Sequence, residues 1–222
     1  MITFEIKTIE KCATCGLFRD MNQEEIASAL ACFHARVTEY EKGAVILHAG
    51  DRTRSLALVL DGSVTIQSDD FWGNRTILTM IAAGGLFAET YALLHETLLV
   101  DAVANTHSEI LFLDISKLYE LSKTENPWIV PLLSRLLTIA VRKNLTLASR
   151  SFDTAAKTIR GRVMSYLNGV ALREHARSFE IPFDRQQLAD YLNVERTALS
   201  KELGKMKREG LVDFRKNHFA IL

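Results

Sequence analysis

The sequence predicts an α+β chain with an N-terminal β-jelly-roll or barrel, a long central helix and a C-terminal winged helix-turn-helix. Between Val37 and Asp114, short apolar runs alternate with turn residues, which is typical of many short strands. From Pro127 to Arg150, apolar residues recur at helical spacing. Beyond Asp184, two amphipathic helices precede two short strand-like runs, which is the order of a winged helix-turn-helix.

Composition and charge favour a globular protein whose rear part binds a polyanion. The 222 residues carry no net charge, but residues 1–126 hold 10 Lys+Arg against 18 Asp+Glu. Residues 127–152 hold 4 basic and no acidic residues, and residues 153–222 hold 13 basic and 9 acidic residues. An acidic front and a basic rear indicate that the rear contacts a partner such as nucleic acid.

Membrane and secretion signals are missing from the sequence. No apolar run approaches the roughly 20 residues of a membrane span, and no basic-then-apolar leader follows Met1. We therefore expect a cytoplasmic protein with no membrane partner.

The three cysteines do not suggest a disulfide framework, because their number is odd. Cys12 and Cys15 form half of a metal or cluster site, which Cys32 and His34 could complete. We favour the alternative that these are reduced, partly buried thiols.

The front of the chain is expected to begin with a helical segment over residues 14–35 and to continue as strands. Asp61-Gly62 and Gly73-Asn74 are turn signals of the kind found in β-hairpins. They predict two hairpins within the β domain.

The central helix is predicted to pair with its own copy, although a packed connector within one chain is the alternative. An apolar stripe of this length without acidic residues resembles a coiled-coil seam, in which Asn144 could set the register. The predicted dimer interface comprises Leu133, Leu136, Leu137, Ala140, Val141, Asn144 and Leu147.

A helix over residues 155–177 is expected next, with Gly161 allowing another backbone to come close. A short strand over residues 178–183 should then lead to Asp184.

The helix-turn-helix is predicted from its caps and its periodicity. Asp184 and Gln187 have the spacing of a capping box, which starts a first helix within residues 183–192. A second helix over residues 193–210 should bury Leu199, Leu203 and Met206 and expose a polar face. That face carries Arg196, Thr197, Ser200, Lys201, Lys205 and Arg208. Such side chains contact base edges or phosphates, and a merely solvated helix face is the alternative.

These features together resemble the CRP/FNR superfamily of bacterial transcription regulators over most of the chain, from Leu17 to Leu222. The matching segments are GAVILHAGD at 43–51, LALVLDGSVTI at 56–66, GGLFAE at 84–89, GRV at 161–163 and RQQLADYLNVERTALSKELGKMKREGLV at 185–212. DFWGNRTIL at 70–78 is similar to a subgroup of anaerobic Firmicutes. The resemblance implies a cyclic-nucleotide-binding-like effector domain (1–126), a dimerisation helix (127–152) and a DNA-binding domain (153–222).

The family's base-contacting positions fall on Arg196, Thr197, Ser200 and Lys201, and a phosphate-contacting position falls on Arg185. Together with Lys205, these form the predicted DNA-binding set. The family often has Glu at the position of Thr197 and Arg at that of Lys201, so a different operator is expected. The implied partners are a palindromic double-stranded DNA operator, a second copy of the chain and RNA polymerase.

The effector site departs from the family's cyclic-AMP-binding pattern. Glu89, which would hold the ribose, is present, but Ala88 stands where that pattern has glycine. Leu98-Leu99-Val100 replaces the Arg-Ser pair that would hold the phosphate, and a buried phosphate without a cation is costly. The sequence thus argues against cyclic AMP and for an unknown apolar effector, or none. The predicted pocket comprises Gly85, Leu86, Ala88, Glu89, Leu98, Leu99 and Asn144.

Two alternatives to an effector-responsive regulator stay open from the sequence. The first is a redox or iron–sulfur-sensing regulator that uses Cys12, Cys15 and Cys32, although the β domain beyond Cys32 has no further cysteine for a four-thiolate cluster. The second is a cupin-like metalloenzyme, which scattered histidines argue against. We expect a non-enzymatic regulator with no metal site and leave its cofactor unassigned.

Overall fold

The computed structural model describes residues 6–69 and 75–222, which form helices and antiparallel sheets. The helices are α1 (Ile6–Thr14), α2 (Gln23–Cys32), α3 (Glu89–Leu94), α4 (Leu118–Leu121), α5 (Ile129–Ala155), α6 (Ile159–Glu174), α7 (Arg185–Tyr191) and α8 (Arg196–Arg208), with a 3₁₀ turn at Gly16–Phe18. The strands are β1 (Arg36–Tyr40), β2 (Val45–Leu47), β3 (Ser55–Asp61), β4 (Ser63–Asp69), β5 (Arg75–Ala82), β6 (Leu86–Phe87), β7 (Asp101–Ala104), β8 (Ser108–Asp114), β9 (Ser178–Glu180), β10 (Val212–Arg215) and β11 (His218–Ile221). The chain divides into two compact units, Met1–Ala140 and Val141–Leu222.

The first unit contains a jelly roll of two four-stranded antiparallel sheets. Their strand orders are β1-β8-β3-β6 and β2-β7-β4-β5. The predicted jelly-roll architecture is therefore confirmed. The two sheets pack face to face, an arrangement that limits exposed strand edges.

The turn at Asp61-Gly62 differs from its prediction. Strands β3 and β4 flank it, but they belong to different sheets, so the turn crosses from one sheet to the other and forms no hairpin. Local sequence specifies a tight turn, whereas strand pairing depends on distant partners. The second predicted turn, Gly73-Asn74, lies outside the described residues, as does the start of the DFWGNRTIL segment.

Strands β3 and β8 each contain a continuous apolar run because both of their faces are covered. In β3, Leu56 and Leu58 face a core shared with the helices, whereas Ala57 and Val59 face the opposite sheet. A strand side chain alternates between faces with a period of two, so both sets of residues are buried. The continuous apolar run in the sequence follows from this position between two layers.

The predicted helical segment over 14–35 contains the 3₁₀ turn and α2, and a separate helix, α1, precedes it. Helix α1 ends at Thr14, a 3₁₀ turn follows, and Asn22 with Glu25 forms a capping box that starts α2. The reciprocal cap satisfies amides at a new helix start, which favours the break. Both helices contribute to the core around Trp128, whose Nε1–H donates to Ser28 Oγ at 3.1 Å.

Helix α5 begins in the first unit and ends in the second. Pro131 lies in its first turn, where a missing N–H is tolerated, as the sequence predicted. Its early residues Ile129, Leu132 and Leu136 are buried in the core of the first unit. No helix among the described residues combines the length and the hydropathy that a bilayer crossing requires.

The second unit is a winged helix-turn-helix, as predicted. Helices α6, α7 and α8 enclose one apolar core with the sheet β10-β11-β9. Gly161, expected to admit a neighbouring backbone, instead lies against side chains, since a Cβ there would be 2.8 Å from Ala156 Cβ and 3.1 Å from Thr158 Oγ1.

We predict that Gly62→Ala destabilises the first unit far more than Gly43→Ala. Both glycines have a left-handed φ, +81° and +87°, which costs an L-residue about 1–2 kcal/mol. Only at Gly62 would the new Cβ collide with backbone, 2.3 Å from His107 O, while nothing lies within 4 Å at Gly43. Chemical denaturation should show an additional loss of about 1–3 kcal/mol for Gly62→Ala. Equal losses in the two variants would contradict this account.

We also predict that the buried thiol of Cys12 makes the first unit sensitive to alkali. Burial raises the pKa of this thiol from 9.0 to about 12. The neutral buried thiol contributes stability below pH 9, and this contribution is lost as the pH rises toward 12. The unfolding free energy of the wild type should therefore fall more steeply than that of Cys12→Ala, by up to about 1.4 kcal/mol per pH unit.

The measurement is denaturation followed by tryptophan fluorescence between pH 8 and 10.5 in a Trp72→Phe background. Trp128 then reports alone, and it shares the core of Cys12. Parallel pH curves for the two proteins would refute the prediction.

Candidate nucleic-acid interface

Helix α7 starts where the sequence places it. Asp184 Oδ1 accepts from Gln187 N–H at 2.8 Å, and Gln187 Oε1 accepts from Asp184 N–H at 2.9 Å. This reciprocal pair confirms the predicted capping box. Leu188 and Ala189 then face the core of the second unit.

Helix α8 begins three residues later than the predicted residue 193. Asn193 adopts a left-handed conformation with φ +53°, which ends α7 and turns the chain. Glu195 caps α8 by accepting from Thr197 N–H at 2.8 Å and Ala198 N–H at 2.7 Å. The backbone N–H of Thr197 is the main reason that the pKa of Glu195 is lowered. Sequence analysis missed this cap because Glu is not among the preferred N-cap residues.

The predicted inner stripe of α8 lies in the core, and its polar face is open. Leu199, Leu203 and Met206 have no exposed surface. The side chains on the other face are exposed: Arg196, Thr197, Ser200, Lys201, Lys205 and Arg208. One helix face therefore presents three basic groups and two hydroxyls within its first ten residues.

Arg185 takes a position that the sequence did not suggest. Its guanidinium carbon lies 4.9 Å from the ring centre of Phe214 and 5.6 Å from that of Phe219, both in the wing. Burial lowers the pKa of this guanidinium. Arg185 is half-buried, so this side chain packs α7 against the wing through cation–π contacts.

Two arginines of α6 hold α8 and the turn before it. Arg160 forms ion pairs with Glu202 and Glu209, each at 2.7 Å. Arg162 donates to Leu192 O at 3.0 Å and Asn193 O at 2.8 Å, carbonyls that the end of α7 leaves without helical partners. The periodicity of the sequence does not reveal the role of these arginines, because their partners lie 30 to 49 positions away.

The apolar surface of α5 differs from the predicted dimer seam. Leu136 is buried in the core of its own chain, so we no longer expect it to contact a partner. Leu133 packs against that core while partly exposed, and its place in the seam stays a prediction. Leu137, Ala140, Val141, Asn144 and Leu147 are exposed. The structure adds Val130, Leu145 and Phe152, which with Leu137 and Val141 repeat every four or seven residues on one face.

The residues predicted to line an effector pocket lie in different environments. Leu86 and Leu98 are buried, and Glu89 is only 5% exposed in the first turn of α3. Ala88 has φ +63°, a conformation in which glycine is less strained. Gly85 sits in a tight turn, where a Cβ would be 2.5 Å from Ile81 Cγ2.

Leu99 and Asn144 do not line an interior space of this chain. Leu99 is 74% exposed, and Asn144 is exposed on the part of α5 that belongs to the second unit. Within one chain, Leu86, Glu89 and Leu98 are the buried members of the predicted set, and the role of the whole set in effector binding stays a prediction.

The cysteines lie in the core of the first unit as free thiols, with Cys12 and Cys15 buried and Cys32 partly so. Burial raises the pKa values of both Cys12 and Cys15, which opposes the thiolate that metal binding requires. In residues 6–69 and 75–222, no three His, Cys, Asp or Glu side chains are grouped closely enough to hold a metal ion.

Both parts of the chain match known protein families. Residues 37–125 match the cyclic nucleotide-binding domain, and residues 161–222 match the Crp-like helix-turn-helix domain. The cAMP-activated global transcriptional regulator CRP of Haemophilus influenzae is 25% identical over 185 residues, covering 81% of this chain and 80% of that protein. The cAMP-activated global transcriptional regulator Vfr of Pseudomonas aeruginosa is 25% identical over 187 residues, covering 81% of this chain and 86% of Vfr.

A solved structure shares the fold over nearly the whole length. The Thermus thermophilus catabolite activator protein superposes with a TM-score of 0.51 at 25% identity, covering 93% of each chain. In this chain, the long helix α5 lies between the two matched domains. The chain therefore belongs to the CRP/FNR superfamily of DNA-binding transcription regulators.

Proposed function

We propose that the protein acts as a homodimer that binds a palindromic operator through α8. The observation that carries this proposal is the exposed polar face of α8, fixed outward by the buried stripe on its other side. Arg196, Thr197, Ser200 and Lys201 are the proposed base contacts, and Lys205 is a proposed phosphate contact. Arg and Lys on the first turns of a helix in the major groove recognise guanine edges and phosphates.

Arg185 has a second role in this proposal. Its guanidinium is already held over the wing phenyl rings, so the N–H groups along its edge would reach a phosphate without a large change of rotamer. We assign it to backbone positioning of the DNA rather than to base recognition.

The homodimer is proposed to form along α5. Five large apolar side chains share one face of this helix and are each more than half exposed: Val130, Leu137, Val141, Leu145 and Phe152. A contiguous apolar surface of this kind marks an interaction site, and a second copy of the same helix is self-complementary to it. Two half-sites one helical turn apart fit such a two-fold dimer.

The effector is proposed to be a small apolar molecule other than cyclic AMP. The curated relatives are named as cAMP-activated, but this chain has no arginine between Arg75 and Arg135 to neutralise a phosphate. Leu86 and Leu98 are buried beside the α3 segment, where an anionic group would lose its hydration without a cation. From its family, we also propose that the protein acts in the cytoplasm and contacts RNA polymerase.

Replacing Arg196 by Ala should lower operator affinity by about tenfold to a hundredfold and relax the preference at one base pair. The side chain is exposed, so the thermal stability of the protein should not change. Lys205→Ala is the matched comparison, because loss of a phosphate contact weakens all sequences alike and reduces the salt slope by about 1.

The assay is a fluorescence-anisotropy titration of selected operators at several salt concentrations. If wild-type affinity were the same for selected and scrambled duplexes, sequence-specific binding would be ruled out. An Arg196→Ala protein with unaltered base preference would remove this residue from the contact set.

Val141→Glu should shift the protein from dimer to monomer, because a charge would be buried without a partner in the paired helices. The residue is 58% exposed within one chain, so folding of the monomer should be unaffected. Thr146→Glu adds the same charge off the apolar face and serves as the control. Sedimentation velocity distinguishes the species, and a dimer unchanged by Val141→Glu would place the interface elsewhere.

A further inference from the structure

The carboxylate of Asp153, close to the end of α5, is buried and held by two hydroxyl groups. Only 8% of the residue is exposed. Ser165 Oγ, on α6, donates to Oδ1 at 3.0 Å, and Tyr191 Oη, at the end of α7, donates to Oδ2 at 3.0 Å. A buried carboxylate is costly unless such bonds are complete, so the pair of donors fixes the place of Asp153.

Tyr191 is itself fixed by the rings around it. Its ring centre lies 5.2 Å from that of Tyr166 and 5.0 Å from that of Phe183. Burial is the main cause of its raised pKa, and the bond to Asp153 acts in the same direction. The hydroxyl of Tyr191 therefore stays protonated and remains a donor to the carboxylate.

Arg150 adds a second link between the same two helices. Its Nη2 donates to Asp190 O at 2.9 Å and its Nε to Tyr191 O at 3.0 Å. These carbonyls lie in the last turn of α7, where the helix dipole favours a cation. Asp190 O also accepts from Asn193 N–H at 3.2 Å, so the guanidinium adds a donor to the end of this helix. The guanidinium carbon also lies 5.6 Å from the ring centre of Tyr191.

We propose that Arg150, Asp153 and Tyr191 form a clasp that fixes the direction of α7 relative to the last turns of α5. The inference rests on the proposed function, since it concerns how a homodimer paired along α5 presents its DNA-contacting helices. Helix α8 changes direction together with α7, because Leu188 and Ala189 share one buried core with Leu199 and Leu203. These three are positioning residues, and none of them needs to touch DNA.

The clasp determines the spacing at which two copies of α8 meet the DNA. Half-sites of a two-fold dimer are separated by about one helical turn, so an error in the direction of each α7 changes the separation that fits. Loosening the clasp leaves each helix-turn-helix able to bind one half-site. It removes the preference for one separation between two half-sites.

The test compares wild type with Tyr191→Phe and Arg150→Gln on three kinds of DNA. These are the palindrome that wild type selects from a randomised pool, a duplex with one half-site, and palindromes lengthened or shortened by one and two base pairs. We expect both variants to bind the selected palindrome about tenfold more weakly, as loss of one or two hydrogen bonds to charged groups allows. Half-site affinity should stay within about twofold of wild type, and the dependence on spacing should flatten.

Tyr166→Phe is the matched control, because it deletes the same atom from the neighbouring ring and leaves the bond between Tyr191 and Asp153 intact. It should keep the wild-type spacing preference. Asp153→Asn, which keeps the volume of the side chain and one acceptor oxygen, should give an intermediate loss. Sedimentation and thermal melts verify that each variant is a folded dimer.

Two results would overturn the clasp. A spacing preference as sharp in Tyr191→Phe and Arg150→Gln as in wild type would show that α7 is oriented by other contacts. An equal loss on half-site and palindrome would show that the three residues stabilise the domain without positioning it. Failure of the proposed function has a different signature, since wild type would then select no palindrome, and the clasp would fall with it.

Discussion

The burial of one side of α8 is the constraint on which the rest of the second unit depends. Leu199, Leu203 and Met206 recur at four- and three-residue spacings and are fully buried. Burying side chains of this size stabilises the unit by about 1.5–3 kcal/mol each, so rotation of the helix about its axis is strongly opposed. Because the helix cannot rotate, the polar residues between them must face outward, where DNA can reach them.

Four arginines in this unit make contacts within the protein itself. Arg162 and Arg150 donate to carbonyls at the end of α7, Arg160 pairs with acidic groups of α8, and Arg185 stacks on the wing. A guanidinium has several donors in a fixed plane and suits these roles as well as it suits phosphate binding. Part of the basic charge of the rear half thus serves contacts within the protein, and part lies on the exposed face of α8.

The jelly roll of the first unit matches the cyclic nucleotide-binding domain, although the effector that we propose for it is not cyclic AMP. Glu89 is buried at the start of α3, and Ala88 adopts a left-handed conformation at the preceding position. Strands β3 and β8 of this jelly roll are packed on both faces, so its architecture depends on apolar burial and not on the residues that would bind a ligand. Fold and ligand can therefore change separately, which is why the family fold alone does not identify the effector.

The sequence by itself determined what depends on neighbours a few residues away. The capping box of Asp184 and Gln187, the inner stripe of α8 and the order of elements all follow from local spacing. Tertiary structure decided which side of α5 is covered, since Leu136 and Val141 are equally apolar in sequence but one is buried and the other exposed. It also decided that Arg185 lies over aromatic rings. Periodicity defines a face of a helix but not the neighbour that covers it, because that neighbour comes from a distant part of the chain.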